Sequence, residues 1–187
     1  MKEKIVVGVT GMPGAGKGVI RKIVRRMGYH VVVMGDEIRE EAKRRNLKPT
    51  PENLGMIMLK LREEQGPAAV AKRCITKMER RENKVIVVEG IRSPQEVNEF
   101  RGCFPNFTLV AVQALPKTRF RRLFQRKRSD DPKNWERFME RDLREAEVGV
   151  ELAIASADHL IVNEGTKSQM KRRTREVLQE VLGKWMK

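Results

Sequence analysis

A glycine-rich segment, GMPGAGKG at residues 11–18, constrains this chain more than any other feature. It follows the apolar run KIVVGVT, which predicts a β-strand, and it precedes an amphipathic stretch that predicts a helix over residues 18–27. In that order, strand, loop and helix form a cradle whose backbone N–H groups point at phosphate oxygens. The GxxxxGK pattern therefore predicts a polyphosphate site in which Lys17 bridges the β- and γ-phosphates.

The predicted phosphate loop departs from the usual pattern at one position. Gly18 stands where a Ser or Thr hydroxyl ordinarily binds Mg²⁺, and Val19 offers no hydroxyl either. Any Mg²⁺ is therefore expected to be held through waters and acidic residues elsewhere, which favours a small-molecule kinase over a GTPase-like switch or a motor ATPase. The residues that we expect to hold ATP in this loop are Gly11, Met12, Pro13, Gly14, Ala15, Gly16, Lys17, Gly18 and Val19.

Short apolar runs recur along the chain and predict five strands. These runs are continuously apolar and rich in Val and Ile, as strands are when both faces of a parallel sheet are covered by helices. Helical patterns alternate with them, so we predict an α/β fold of the three-layer P-loop NTPase type, with helices on both faces of a five-stranded parallel sheet. The predicted strands are 4–10, 30–34, 84–89, 107–113 and 159–162.

Two segments interrupt the alternation within what we expect to be a single domain, residues 1–187. The second and third predicted strands are about fifty residues apart, whereas a simple crossover needs only a dozen or more. We therefore predict a helical, acceptor-binding insertion at residues 36–81. Residues 119–141 are crowded with arginine and contain an Asp-Asp-Pro sequence that breaks helices, which predicts a mobile basic lid.

The composition and charge of the chain bear on its partners and on its cellular compartment. The chain has 40 Lys and Arg against 25 Asp and Glu, a net charge of +15, which attracts nucleic acid, acidic membranes and phosphorylated small molecules alike. No stretch is apolar enough to span a membrane, and the N-terminus does not read as a secretory signal, so we expect a cytoplasmic protein without a membrane partner. The two cysteines are far apart and predict two buried thiols, with neither a disulfide framework nor a zinc site.

Four segments in order give the chain a resemblance to the adenylate kinase and nucleoside monophosphate kinase family. The loop is similar to that family's GxPGxGKG, and GDEIREEA at residues 35–42 is similar to its GDxLR motif. EGIRSPQE at residues 89–96 resembles DGFPRxxxQ, and RLFQRKRSDD at residues 122–131 resembles the arginine-rich lid. The likeness covers essentially the whole chain and is nearest to the divergent archaeal adenylate kinase-related proteins.

The resemblance implies roles for particular residues. Arg39 and Arg92 would hold the phosphate of the acceptor, and Gln95 would lie near its base. The lid arginines would close over the transferring phosphoryl group; they are Arg122, Arg126 and Arg128. A further lid arginine, Arg137 or Arg141, stays unassigned. ADHLIVNEG at residues 157–165 resembles the last strand and base-contacting loop of these kinases, in the form found in dephospho-CoA kinase. This resemblance would place Asn163 and Gly165 beside the adenine of ATP.

Two acidic residues are candidates for holding Mg²⁺ through waters. Asp36 and Glu89 follow the second and third predicted strands, and the carboxyl ends of parallel strands meet at one crevice. Asp36 has a second interpretation, because an acidic residue that opens a helix is often its N-cap.

These observations favour an enzyme that transfers the γ-phosphate of ATP, with Mg²⁺, to a small nucleotide acceptor. AMP or another nucleoside monophosphate is the first candidate, and dephospho-CoA, attacked through a hydroxyl with Asp36 as base, is the nearest alternative. A regulatory nucleotide-binding protein and a nucleic-acid-binding protein remain open alternatives. The second is less favoured because few aromatic residues are present to stack on bases.

Overall fold

The computed structural model describes residues 4–185. Five strands form one parallel sheet in the order β2-β3-β1-β4-β5, so that β1 lies at the centre. This confirms the predicted sheet and its parallel strands. The strands are β1 (Ile5–Thr10), β2 (His30–Val33), β3 (Val85–Ile91), β4 (Asn106–Gln113) and β5 (His159–Val162).

Helices cover both faces of the sheet, as predicted. They are α1 (Lys17–Arg26), α2 (Met34–Arg44), α3 (Pro51–Gln65), α4 (Ala69–Glu79), α5 (Pro94–Cys103), α6 (Pro116–Arg126), α7 (Trp135–Val148), α8 (Val150–Ala155) and α9 (Lys167–Trp185). Within residues 4–185, none of these helices is long and apolar enough to cross a membrane.

Successive residues of the central strand supply the two halves of the core. Val6 packs in a cluster with the inner faces of α2 to α5, whereas Val7 and Val9 pack in a cluster with α1 and α9. Every residue of β1 is buried, because side chains alternate between two covered faces. The continuous apolar pattern of β1 therefore reflects burial on both sides of the sheet.

The structure corrects several predicted boundaries. One predicted helix over residues 132–156 is two helices, because Gly149 adopts φ 106° and ends α7. Asp36 is not an N-cap: α2 already begins at Met34, so Asp36 lies in its first turn. Of the two thiols, Cys74 is buried as expected and Cys103 is exposed.

The two segments that interrupt the alternation lie beside the carboxyl edge of the sheet. Helices α2, α3 and α4 form the insertion between β2 and β3. The arginine-rich segment comprises α6, a loop over residues 127–134 and the first half of α7. Lys127, at φ 54°, ends α6, and the Asn134 side chain caps α7 by accepting from the backbone N–H of Arg137. Acceptor binding and lid closure by these segments remain predictions.

Candidate active site

A cleft of about 710 Å³ opens where the central strands end. The loop after β1 forms its floor, and Gly35, Glu89 and Gly90 line it from the ends of the neighbouring strands. Arg122 and Arg126 of α6 form the opposite wall. Ligands of open parallel sheets bind at this edge, because loops from adjacent strands converge there.

Three glycines give the loop a backbone path that other residues cannot follow. Gly11, Gly14 and Gly16 have φ values of 140°, 82° and 112°. A Cβ on Gly11 would lie 2.3 Å from the carbonyl oxygen of Val112, and one on Gly14 would lie 2.6 Å from that of Arg119. Space and backbone conformation therefore both require glycine at these positions.

Side-chain donors hold the carbonyl groups of the loop. Lys17 Nζ donates to the carbonyl of Gly11 and to that of Met12, the latter at 3.1 Å. Arg119 reaches the carbonyl of Pro13 at 3.3 Å. The Asn163 amide donates to the carbonyl of Ala15 at 2.7 Å, and Arg122 donates to the same oxygen at 3.3 Å. The loop is thus fixed by donors from α1, α6 and the end of β5.

Lys17 sits in an electrostatically mixed environment. Burial lowers the pKa of its ammonium to about 8; Glu89 and Glu145 oppose this shift, and Arg92 and Arg141 add to it. The ammonium form of Lys17 is therefore less stable than that of an exposed lysine, and a bound anion would stabilise it.

Glu89 and Asp36 both line the cleft but differ in exposure. The Glu89 side chain is 13% exposed, and its Oε2 is buried without a hydrogen-bond partner among the described residues, although Arg21 Nε lies 3.5 Å away. The Asp36 side chain is 59% exposed and accepts a hydrogen bond from Arg39 at 3.1 Å. An orphaned carboxylate oxygen at the phosphate cleft fits the water shell of Mg²⁺. Within residues 4–185, no three acidic, His or Cys residues cluster as metal ligands.

A second cavity, of about 550 Å³, adjoins the cleft on the side of the helical insertion. Arg39, Arg92 and Arg141 line both cavities and therefore stand at their junction. The far wall comes from α3 and α7, and it includes Leu54 and Met58. Asp130 also lines both cavities, so the junction holds three guanidinium groups and one carboxylate. The far wall is partly apolar.

Glu145 holds Arg92 in place at this junction. The Arg92 Nε donates to Glu145 at 2.5 Å, and the Arg92 backbone N–H donates to Glu96 at 2.7 Å. Burial opposes the charge of both side chains, yet their attraction raises the pKa of Arg92, while Arg92 and Arg141 lower that of Glu145. Arg92 is thereby fixed in position and charged.

Two aspartates organise the lid arginines. Arg126 forms a two-point ion pair with Asp131, whose carboxylate also accepts from the backbone N–H of Arg128 at 2.9 Å. Asp130 pairs with Arg39 at 3.4 Å, and its carbonyl accepts from Arg141 at 2.8 Å. Arg122, Arg126 and Arg128 all line the cleft. The structure therefore brings the predicted lid arginines to the phosphate loop.

Five predicted site residues line neither cavity: Met12 and Ala15, which belong to the phosphate loop itself, and Gln95, Asn163 and Gly165. Gln95 is exposed, because the Ser93 cap starts α5 so that Gln95 faces a separate surface groove. Asn163 is buried against Gly16 and holds the loop from behind. Gly165 lies beside Gln169 at the start of α9. The geometry thus gives Asn163 a supporting position and leaves Gln95 away from the acceptor cavity.

Sequence reasoning gave no individual role to two buried groups, Glu145 and Arg119, and left Arg141 as one of two candidates for a further lid arginine. Glu145 and Arg141 are four residues apart on α7, a spacing that places both on one helix face. Arg119 is buried, forms a two-point ion pair with Asp142 and lies over the Phe138 ring. The i, i+4 spacing was the available signal for Glu145, but no local pattern shows which arginine of an arginine-rich helix is buried.

A phosphate loop at the head of a five-stranded parallel sheet, with helices on both faces of that sheet, defines the P-loop NTPase kinase fold. Residues 10–139 match the family model described as an AAA domain. The chain belongs to this AAA-domain family and to the group of UPF0200 proteins. A UPF0200 protein of Methanothermobacter thermautotrophicus is 44% identical, over 96% of this chain and 92% of its own length. One of Pyrococcus furiosus is 50% identical, over 87% of this chain and 90% of its own.

Solved structures share the fold at low sequence identity. The shikimate kinase of Acinetobacter baumannii, in complex with shikimate, is similar with a TM-score of 0.61 and 14% identity, over 100% of this chain and 97% of that one. TT1252 of Thermus thermophilus also has a TM-score of 0.61, with 20% identity over 96% and 98% of the two chains. At these identities the likeness extends to the fold alone.

Proposed function

We propose that this protein transfers the γ-phosphate of ATP to the phosphate group of a small nucleotide acceptor, with a nucleoside monophosphate such as AMP as the first candidate. The observation that carries the proposal is the junction of the two cavities. ATP phosphates in the cleft and an acceptor in the second cavity would meet at Arg39, Arg92 and Arg141. Three guanidinium groups there match the bidentate geometry of an acceptor phosphate.

The chemistry needs two anions held in line and their charge neutralised, with little covalent work for the protein. In the proposed arrangement, Lys17 binds the β- and γ-phosphates, and Arg126 stabilises the charge on the transferring group. Arg122 and Arg128 would complete the wall around it. Glu89 and Asp36 would hold the waters of Mg²⁺, which supplies charge neutralisation between the phosphates when bound.

A phosphate acceptor suits the site better than a hydroxyl acceptor such as that of dephospho-CoA. A hydroxyl needs a general base, and Asp36 is the candidate. Asp36 is 59% exposed and pairs with Arg39 through Oδ1, so the structure does not hold this carboxylate at a buried position beside an acceptor. A phosphate acceptor needs no base, and it gains directly from the arginines at the junction.

The test is ADP formation from ATP and Mg²⁺ with a panel of acceptors: AMP, dAMP, CMP, dCMP, UMP, GMP, dTMP and dephospho-CoA. We expect one monophosphate to be turned over far above the rest, and Lys17→Ala to abolish turnover. Arg92→Ala should lower kcat/KM for that acceptor at least about a hundredfold, whereas Arg101→Ala, which removes an exposed arginine on α5, should leave it unchanged.

Two results would contradict the proposal. If no acceptor exceeds the background hydrolysis of Lys17→Ala although ATP binds, the protein does not transfer phosphate to these nucleotides. If dephospho-CoA alone is a substrate and Asp36→Asn abolishes its phosphorylation, the hydroxyl alternative replaces the monophosphate.

A further inference from the structure

Most of the exposed large apolar side chains belong to the second half of the chain. Among the described residues, only Met27, Met56 and Leu59 of this class lie outside the second half of the chain. The others lie between residues 115 and 162, and they are Leu115, Phe124, Trp135, Met139, Leu143, Leu152, Leu160 and Val162. Scattered exposed apolar residues need no explanation, but a concentration of them marks an interaction surface.

The centre of this region is a continuous surface on α6 and α7. Trp135, Met139 and Leu143 follow one another at four-residue spacing on α7, with exposures of 41%, 45% and 63%. On α6, Phe124 is 51% exposed and its ring lies 5.8 Å from that of Phe120. We call Phe124, Trp135, Met139 and Leu143 the α6–α7 apolar surface.

Phe120 joins the two helices within this surface. Its ring lies 5.3 Å from that of Trp135 in an edge-on arrangement, and 5.5 Å from that of Phe138. Beneath them, the buried pair of Arg119 and Asp142 ties α6 to α7. The surface is therefore preformed, and a partner would not have to order it on binding.

The α6–α7 apolar surface faces away from the phosphate cleft. On α6, the cleft arginines Arg122 and Arg126 project from the other flank of the helix than Phe120 and Phe124, as their spacing around 3.6 residues per turn requires. On α7, Arg141 lies on the cleft side in the same way. A partner on this surface would leave the cleft open.

The borders of the surface carry opposite charges. On α6, Lys117 and Arg121 are exposed next to the phenylalanines, and this helix contains no acidic residue. On α7, Glu136 and Glu147 are exposed next to Trp135 and Leu143. These four charged side chains form no ion pair within residues 4–185, so both borders can pair with a partner.

We propose that the α6–α7 apolar surface binds a second copy of this chain, in a two-fold arrangement that sets α6 of each copy against α7 of the other. An isologous contact uses the same patch twice. It therefore buries both apolar strips and brings the basic border of each copy against the acidic border of the other. A nucleic acid would match the basic border only and would meet repulsion from Glu136 and Glu147.

Sedimentation velocity of the full chain, from about 1 to about 100 µM, tests the proposal. We expect a concentration-dependent dimer, and we expect Leu143→Glu to raise its dissociation constant at least about tenfold by placing a charge in the apolar strip. Leu59→Glu is the matched control, because Leu59 is 46% exposed on α3, which contributes no residue to the α6–α7 apolar surface. Circular dichroism melts verify that both variants are folded.

Charge reversal tests the two-fold arrangement itself. Arg121→Glu should weaken the dimer, and adding Glu147→Arg should restore it, because the reversed charges meet across the interface. A wild-type protein that stays monomeric at every concentration overturns the proposal. So does a dimer that Leu143→Glu leaves intact or that Leu59→Glu disrupts equally. Binding of a fluorescent single-stranded oligonucleotide to a monomer, lost in Phe124→Glu, would assign the surface to nucleic acid instead.

Discussion

Lys17 carries the charge that the phosphate cleft needs, and its surroundings make that charge depend on pH. Burial lowers the pKa of the Lys17 ammonium to about 8, so the free protein loses this charge as pH rises through that value. We predict that the dissociation constant for an ATP analogue is flat below about pH 7.5 and increases by up to about tenfold per pH unit above 8. Isothermal titration calorimetry at several pH values measures this dependence.

The control keeps the charge and changes the group that carries it. Lys17→Arg stays protonated throughout this range, so its ATP affinity should not fall between pH 8 and 10. The lowered pKa of Lys17 also affects the free energy of unfolding. Between about pH 8 and 10.4 the unfolded chain binds more protons at Lys17 than the folded one does. The free energy of unfolding should therefore rise with pH there relative to Lys17→Met. A pH-independent ATP affinity in the wild type would contradict the assigned environment of Lys17.

Short motifs locate individual site residues only where one segment supplies the geometry. The phosphate loop lies in the cleft as expected, because it follows directly from buried β1. Glu89 also lines the cleft, although it lies inside β3, near its carboxyl end, and does not follow the strand as predicted. Glu145 could not be assigned, since its partner Arg92 is 53 residues away along the chain. The predicted position of Gln95 beside the acceptor base differs from the structure for a local reason. The Ser93 cap begins α5 and thereby sets the direction of the Gln95 side chain.

At the scale of helices, the buried pair of Arg119 and Asp142 connects α6, α7 and the phosphate loop. Arg119 is 4% exposed and Asp142 is 9% exposed. We predict that Arg119→Met lowers the free energy of unfolding by about 3 to 5 kcal/mol, because Asp142 is left buried without its partner. The double variant Arg119→Met/Asp142→Leu should recover most of this loss. Urea denaturation provides the measurement.

An exposed pair offers the comparison. Arg101 and Asp158 lie 3.4 Å apart with side chains about 40% exposed, and Arg101→Met should cost no more than about 1 kcal/mol. If Arg119→Met were as mild as Arg101→Met, the Arg119 pair would be dispensable for stability. The double variant also lacks the donor to the carbonyl of Pro13, so its ATP affinity should remain lower than that of the wild type.

The junction between α7 and α8 depends on one glycine. Gly149 has φ 106°, and a Cβ there would approach Pro94 Cδ to 3.3 Å. We predict that Gly149→Ala lowers the free energy of unfolding by about 1 to 2 kcal/mol. Gly183→Ala is the matched substitution, since Gly183 lies inside α9 with open space around it, and it should add about 0.5 to 1 kcal/mol. Equal effects of the two substitutions in chemical denaturation would show that the φ of Gly149 is not constrained.

The strands can be predicted from the sequence more completely than the ends of the helices. All five strands are predictable because each is a short apolar run between helical patterns. Burial on both faces holds for the three inner strands, β1, β3 and β4. The edge strands are less covered than predicted: β2 is half-buried, and Leu160 and Val162 of β5 are exposed. The division between α7 and α8 is not predictable, because apolar residues continue at helical spacing across Gly149 and only the packing of the helix ends breaks it. Helix α2 begins at Met34, directly after β2, so no turn residue in the sequence marks the boundary between them.

For the whole molecule, nucleotide binding should appear as added thermal stability. A ligand at about 100 times its dissociation constant contributes about 2.7 kcal/mol, which corresponds to about 5 to 10 °C in Tm for a domain of this size. We predict that a non-hydrolysable ATP analogue with Mg²⁺ raises Tm by this amount in the wild type and by little in Lys17→Ala. Differential scanning calorimetry decides this without any need for turnover. An unchanged Tm at saturating analogue would mean that the cleft does not take ATP.

The donors that hold the phosphate loop have a consequence for the thermodynamics of binding. Fixing a backbone residue costs about 1 to 2 kcal/mol in conformational entropy. Because Lys17, Arg119, Arg122 and Asn163 tie down the carbonyls of the loop in the free protein, folding has already met that cost. An arriving nucleotide finds a preorganised anion receptor, so the loop should lose little further conformational entropy on binding.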